Sequence, residues 1–363
     1  MVSAADESRV LSLSDLPVEI RVQILGHLEC LEELENAIRS SEVFRVAYES
    51  CSHMVLTLML ENALHFDLFP LAILHWELSQ TRWWNQDHSE NWLNVRFDAM
   101  KTPNFIWTAT MEQNLDMLRF LKHVQYFAQE FIDWALRRFH ENFGGVETPA
   151  SRSEYDRVMR GLYLQSIIIQ ATVSRGWDHS STTTEETKQS AWKKFVSSFQ
   201  PWEIEQLRCM AQWVSGIIPL PLICYSCVQG RWLEKDLPKE QGKELLTHHG
   251  LALLRGVESI DNRTDHYKIY IIRDFFEDLR EYSEKLYRVV FDLLKDKPYI
   301  EAAEPRFKSD NPGPKQLWAW VRADPQFDVC RLKDKIGYPQ YGSLIWDEER
   351  VKRSRLMKTS VSR

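Results

Sequence analysis

Glycine and proline are scarce in this chain, 13 and 14 among 363 residues. All-β folds with many tight turns draw on more of both, so such a fold is not expected. A basic excess is also missing. The formal net charge is −7 and the sequence pI is about 5.9, which leaves no electrostatic footprint for nucleic acid. There is no long apolar run. The longest stretch, from Ile217 to Tyr225, is too short to span a bilayer and contains Pro219 and Pro221. The opening residues, Met1 to Glu7, lack a basic segment followed by an apolar core, so no signal peptide is expected. Together these absences point to a cytoplasmic or nuclear protein with no membrane partner. The six cysteines are scattered apart from Cys224 and Cys227, and in a reducing compartment they read as free, partly buried thiols. Asn262-Arg263-Thr264 matches a glycosylation acceptor, which means nothing without a secretory route.

The common catalytic signatures are absent as well. No phosphate-cradling P-loop, dinucleotide-binding glycine fingerprint, zinc-protease helix motif or nucleophile-elbow motif occurs. Three fragments imitate a serine hydrolase in the right order: Ser190-Ala191-Trp192-Lys193, Ser309-Asp310-Asn311 and Lys358-Thr359-Ser360. The second lies in a proline-rich loop and the third in a basic tail without strand pattern, so their contexts are wrong. Cys224-Tyr225-Ser226-Cys227 has redox or zinc spacing, but it follows a proline-interrupted segment. Its only near co-ligands are the adjacent His248 and His249, whose side chains point in different directions. Glu277, Asp278 and Glu281 share a helix with Arg280 and Lys285 and read as a solvated face. No catalytic residue, metal or cofactor is implied.

What the chain does have is helical periodicity, with hydrophobic residues at 44% and charged residues at 27%. From Asp116 to Asn142 the apolar residues Leu118, Leu121, Val124, Phe127, Ala128, Phe131, Trp134 and Ala135 recur in steps of three and four, as one broad helix face requires. Glu154–Thr172 and Tyr267–Leu294 follow the same pattern. Ile167-Ile168-Ile169 is β-branched, but its flanks keep helical spacing. A further helix is expected from Pro201, tolerated in a first turn, to about Gly216. Gly144–Ser153, Asp178–Gln189 and Pro298–Lys315 read as loops. Tryptophan is abundant, 14 in all, with Trp76, Trp83, Trp84, Trp92 and Trp107 in one region. Indoles at that density either fill gaps in a helical core or line a recognition groove.

The most informative segment runs from Leu11 to Leu28. Pro17 suits a first helical turn, Ser14 and Asp15 are candidate caps, and Glu19 lies near the positive end of the dipole. Ile20, Ile24, Leu25 and Leu28 are expected on one face. Leu31, Leu34, Ala37 and Ile38 continue onto a second helix, and Val43, Phe44 and Val46 begin a third. Three short helices cannot bury all this surface among themselves, so part must meet the rest of the chain or a partner.

Leu16-Pro17-Val18-Glu19-Ile20, Ile24-Leu25, Leu28, then Leu34, Ile38, Ser41 and Phe44-Arg45 resemble an F-box. The resemblance implies a three-helix surface that binds Skp-type adaptors of cullin–RING ubiquitin ligases, with Leu16, Pro17, Ile20, Ile24, Leu25 and Leu28 in contact with the adaptor. Six desolvated side chains at about 1.5–3 kcal/mol each would supply roughly 10 kcal/mol before ordering costs. Trp202 to Cys209, His249 to Leu254 and Gly337 to Arg350 look like patches of uncharacterised helical F-box-like proteins of filamentous fungi. That second resemblance implies no reaction.

The sequence thus predicts an all-α or nearly all-α protein. An F-box-like module at 11–55 is followed by a helical domain at 56–349 and a basic, solvated tail at 350–363. The expected role is non-catalytic: a substrate receptor of a ubiquitin ligase, holding an unidentified target protein near the transfer machinery. Two other readings fit the same residues. The module could pack only on its own domain in a scaffold protein, or the chain could be an enzyme with a nonstandard site.

Overall fold

The structure, a computed structural model, describes residues 12–65, 68–80, 95–100, 108–144, 148–173, 195–217, 251 and 345–353. It is helical, and among the described residues there is no strand. After a 3₁₀ turn at Leu13–Asp15 come α1 (Val18–Gly26), α2 (Leu31–Ser40), α3 (Glu42–Ala63) and α4 (Phe69–Gln80). They are followed by α5 (Met111–Phe143), α6 (Arg152–Val173), α7 (Pro201–Ile217) and the short α8 (Glu348–Arg353). The all-α expectation holds. The helices foreseen from periodicity at 116–142, 154–172 and from Pro201 appear within a few residues of their expected ends. Ile167-Ile168-Ile169 lies inside α6. The segments Tyr267–Leu294, Asp178–Gln189 and Pro298–Lys315 lie outside the described residues.

The chain divides into two compact units. The first comprises Met1–Phe69 with Ile106–Lys122, and so exceeds the 11–55 stretch read from the sequence. The reason is that α3 does not stop at 55. It runs 22 residues, with one non-helical residue at Cys51 (φ −140°, ψ 33°), and its later turns bury Val55, Leu56, Met59 and Leu60. The start of α5 fastens to that extension. Asn114 Nδ2 donates to Thr57 Oγ1 at 2.8 Å and His53 Nε2 lies 2.6 Å from the Ala109 carbonyl, while Lys122 pairs with Glu32 of α2.

Within this unit α1 packs on α3. It turns Val22, Leu25 and Gly26 inward, at the i, i+3, i+4 positions of one stripe. Gly26 is what lets the two backbones approach. A Cβ built there would lie 2.5 Å from the Leu58 Cβ, closer than real carbon atoms come. Asn62 Nδ2 closes the contact by donating to the Gly26 carbonyl at 2.9 Å, satisfying an acceptor at the helix end. Neither Ser14 nor Asp15 caps α1. Both lie in the 3₁₀ turn, where Ser12 and Asp15 form a reciprocal capping box, and α1 begins after Pro17 with no side-chain cap. Arg21 does the joining instead: its Nε donates to the Leu16 carbonyl at 2.9 Å and its Nη2 to the Ser14 carbonyl at 3.1 Å.

The second unit comprises Pro70–Phe105 and His123–Arg363. Its described core is built on α6 and α7, which approach at Gly161, where a Cβ would lie 2.5 Å from the Met210 Cγ. Phe97, Phe195 and Phe199 form an aromatic cluster, and Trp213 meets Phe127 and Phe131 edge-on. No described helix is long and apolar enough to cross a membrane.

Replacing Gly26 with alanine forces α1 off α3 and is expected to destabilise the first unit by about 1–3 kcal/mol, the usual cost of overpacking. Chemical denaturation of the full chain, followed by circular dichroism, measures it; an unchanged midpoint would show that the helices can separate freely at this point.

Candidate functional site

Helix α1 is apolar around most of its circumference, so packing one stripe on α3 leaves another uncovered. Ile20 and Ile24, one turn apart, remain 46% and 36% exposed, and Pro17 is exposed beside them. Leu16 and Leu28 are half-buried. Leu25 departs from the expectation: it is fully buried at 0% exposure, because it lies a third of a turn from Ile24 and points into the α1–α3 contact. It belongs to the core of the unit and is not presented to a partner. The expected single face of Ile20, Ile24, Leu25 and Leu28 is therefore two stripes, an inward one at Val22, Leu25 and Gly26 and an outward one at Ile20 and Ile24.

Two members of the outward surface were not among the six residues expected to contact the adaptor. Leu13, on the 3₁₀ turn, is 45% exposed, and Val18, at the start of α1, is 37% exposed. Leu13 alternates with serines and has no helical period, so only its spacing of three from Leu16 marked it. The result is a contiguous sequence of apolar side chains on a short turn and one helix, fixed in place by the Ser12–Asp15 box and the Arg21 clip.

In the second unit a polar cluster lies at the start of α6. Ser151 and Glu154 form a capping box: Glu154 N–H donates to Ser151 Oγ at 3.2 Å, and Ser151 N–H donates to Glu154 Oε2 at 2.9 Å. Arg350 donates to Glu154 through Nε at 2.9 Å and Nη2 at 2.8 Å, and also to the Thr148 and Pro149 carbonyls and to Thr148 Oγ1. All five guanidinium N–H groups thus have acceptors. Asp347 accepts from Ser151 Oγ at 2.5 Å and Ser153 Oγ at 3.0 Å and pairs with Arg157 at 2.8 Å. Burial raises the Asp347 carboxyl, but these hydrogen bonds and the Arg157 charge outweigh it and hold the group below the ordinary carboxylate value. Trp346 between them is fully buried against Phe139, with Arg350 over its ring. Arg350, read from sequence as the first residue of a solvated tail, is instead anchored; Lys352 and Arg353 beyond it are exposed. A cavity of about 260 Å³ lies beside this cluster, bounded by His140, Thr148, Glu154, Asp347, Arg350 and Arg353 among others.

Two further buried titratable groups are shifted by burial. Burial pushes the Cys209 thiol up to about 12, aided by the neighbouring Glu205 carboxylate, so no thiolate nucleophile forms near neutrality. His75 is buried, lies within hydrogen-bond distance of Gln170 at 2.9 Å, and is pushed down to about 3 by burial. Among the described residues no group of three metal-ligating side chains converges. The hydrolase-like fragments, Cys224, Cys227, His248, His249 and the carboxylates at 277–281 lie outside the described residues. So do Trp83, Trp84, Trp92 and Trp107; Trp76 is half-buried. No protein-family model, curated protein or solved structure matches the chain.

Two outcomes test this electrostatic picture. Glu154→Ala leaves the Arg350 guanidinium uncompensated and is expected to cost about 3–5 kcal/mol in the full chain, read by chemical denaturation. Near-neutral stability would mean the pair is solvated. His75 is depressed in the folded chain, so the unfolded chain binds more protons below its ordinary value. Stability is therefore expected to fall as pH drops from about 6.5 toward 3, by up to about 1.4 kcal/mol per pH unit. His75→Gln should flatten that slope, and an equal slope in both proteins would assign it to other groups.

Proposed function

We propose that the chain is a non-catalytic interaction subunit whose first unit docks a Skp-type adaptor through the outward stripe of α1, as a substrate receptor of a Skp–cullin–F-box-type ubiquitin ligase. The observation that carries this reading is the exposure of Ile20 and Ile24 beside Leu13, Pro17 and Val18, at the positions where the sequence resembles an F-box. An isoleucine pair on a rigid helix loses little conformational freedom when it is buried, which favours its use as an anchor. A row of uncovered apolar side chains is also the kind of surface that partners cover. Leu16 and Leu28 flank the stripe and would complete the contact; Leu25 supports it from beneath. The second unit would then hold the target, and the target's chemistry has no residues assigned to it.

The alternative reading is a scaffold protein in which the F-box-like helices pack only within the chain. Within the first unit α3 leaves Ile20 and Ile24 uncovered, so packing among that unit's own helices does not account for the stripe.

Ile20→Asp combined with Ile24→Asp is expected to weaken adaptor binding at least about 100-fold, two steps of about 1.4 kcal/mol, with the helical circular dichroism spectrum retained because neither residue belongs to the inward stripe packed on α3. Calorimetric titration with a purified Skp-type adaptor measures it. Failure of the unmodified chain to bind, or equal binding by the double variant, would turn the assignment to the scaffold reading.

A further inference from the structure

Ser14 stands at the edge of the outward stripe. It is exposed, lies between Leu13 and Leu16 in the chain, and precedes Asp15 in the 3₁₀ turn. Its hydroxyl is 2.6 Å from that of Ser12, on the solvent side of the turn. Arg21, seven residues on, reaches back to the same turn. Arg21 Nη2 donates to the Ser14 carbonyl at 3.1 Å and Nε to the Leu16 carbonyl at 2.9 Å. These two bonds use two of the five guanidinium N–H groups and hold the head group directly beside Ser14. No carboxylate pairs with it among the described residues, although Asp15 is close in sequence and is committed to the Ser12 amide at 2.9 Å.

We propose that Ser14 is a phosphorylation site that switches off the docking face, with Arg21 holding the phosphate in place. The inference rests on the adaptor-docking reading above and assigns that face its regulation. In the transfer, the Ser14 hydroxyl oxygen attacks the γ-phosphorus of a nucleoside triphosphate bound to a protein kinase. The Oγ–P bond forms, the bond from the γ-phosphorus to its bridging oxygen breaks, the diphosphate leaves, and the hydroxyl proton passes to the kinase's base. The product carries about −1.5 to −2 charge and three acceptor oxygens. Arg21 has the unused donors to meet one or two of them, with charge-assisted bonds.

The sign of the effect follows from location. A free phosphate on a mobile turn could swing into solvent when a partner arrives. One held by Arg21 stays on the turn that carries Leu13 and leads into Leu16, Pro17 and Val18, the surface that docking must dehydrate. Stripping water from a dianion is far more costly than stripping it from a serine hydroxyl. Asp15 adds a like charge alongside. Neither effect disturbs the α1–α3 core, since Val22, Leu25 and Gly26 lie on the opposite stripe. The unit therefore remains folded while its docking face is switched off.

The test compares the full chain unmodified, with Ser14→Ala, with phosphoserine installed at 14 by codon reassignment, and with that phosphoserine together with Arg21→Gln. Calorimetric titration with the Skp-type adaptor is expected to show Ser14→Ala unchanged and phosphoserine 14 weakened at least about tenfold. Phosphorylation should weaken the Arg21→Gln chain less than the chain with Arg21, each compared with its own form carrying unmodified Ser14. Phosphorus NMR titration reads the Arg21 contact with no adaptor present: the second ionisation of the phosphate should fall at lower pH with Arg21 than with glutamine. Peptide mapping of the chain purified from its own cells under phosphatase inhibition should find phosphate on Ser14. Binding of the phosphoprotein within twofold of the unmodified chain overturns the switch. Identical ionisation midpoints overturn the role of Arg21, and absence of phosphate at Ser14 overturns the site. Failure of the unmodified chain to bind adaptor overturns the docking reading, and with it the switch, while the phosphorus titration still decides the Arg21 contact.

Discussion

The close approach of α1 to α3 at Gly26 governs the first unit. Helix α1 carries Val18, Ile20, Val22, Ile24 and Leu25 within eight residues, which is apolar on nearly every side. A helix of that composition has no preferred inward face by itself. The missing side chain at Gly26 supplies one, because only on that side can the backbones come close enough for Leu58 to fill the space. Once Val22 and Leu25 are committed inward, Ile20 and Ile24 have nowhere to go but out. The exposed stripe is thus a consequence of the core packing, and it is as rigid as the core that creates it.

The second unit uses a different device. Glu154 closes the cap of α6, takes both forks of Arg350 and accepts the Asp347 amide at 2.7 Å. Asp347 in turn binds two serine hydroxyls and Arg157. These interactions tie residues 345–353 to a helix start nearly two hundred positions earlier in the chain. Burial of Trp346 adds apolar area, and the Arg350 guanidinium lies over its ring. Burying so many charges is tolerable because each is paired with an opposite charge at hydrogen-bond distance, although the Nη2 of Arg157 is buried without a partner of its own among the described residues.

Several elements were legible from the residue pattern. The long helices α5, α6 and α7 followed from steps of three and four in their apolar residues and from Pro201 in a first turn. The three-helix order at the start of the chain was legible too. The end of the first unit was not, because the apolar residues beyond 55 continue the same helix across the kink at Cys51, and periodicity carries no sign of where a unit closes. The place of Arg350 was hidden for a related reason. A basic residue in a basic stretch looks solvated unless its carboxylate partner is adjacent in sequence, and Glu154 is not.

Of the six residues assigned to docking, Leu25 shows the limit most clearly. Ile24 and Leu25 are adjacent and equally apolar, yet one is exposed and the other fully enclosed. Composition and periodicity by themselves determined that the chain is helical, that its opening segment carries more apolar surface than three short helices can hide, and that Ile20 and Ile24 share a stripe. Only the tertiary structure decided which stripe faces out, because that choice depends on where a second helix can approach, and the approach depends on the absence of one Cβ at Gly26.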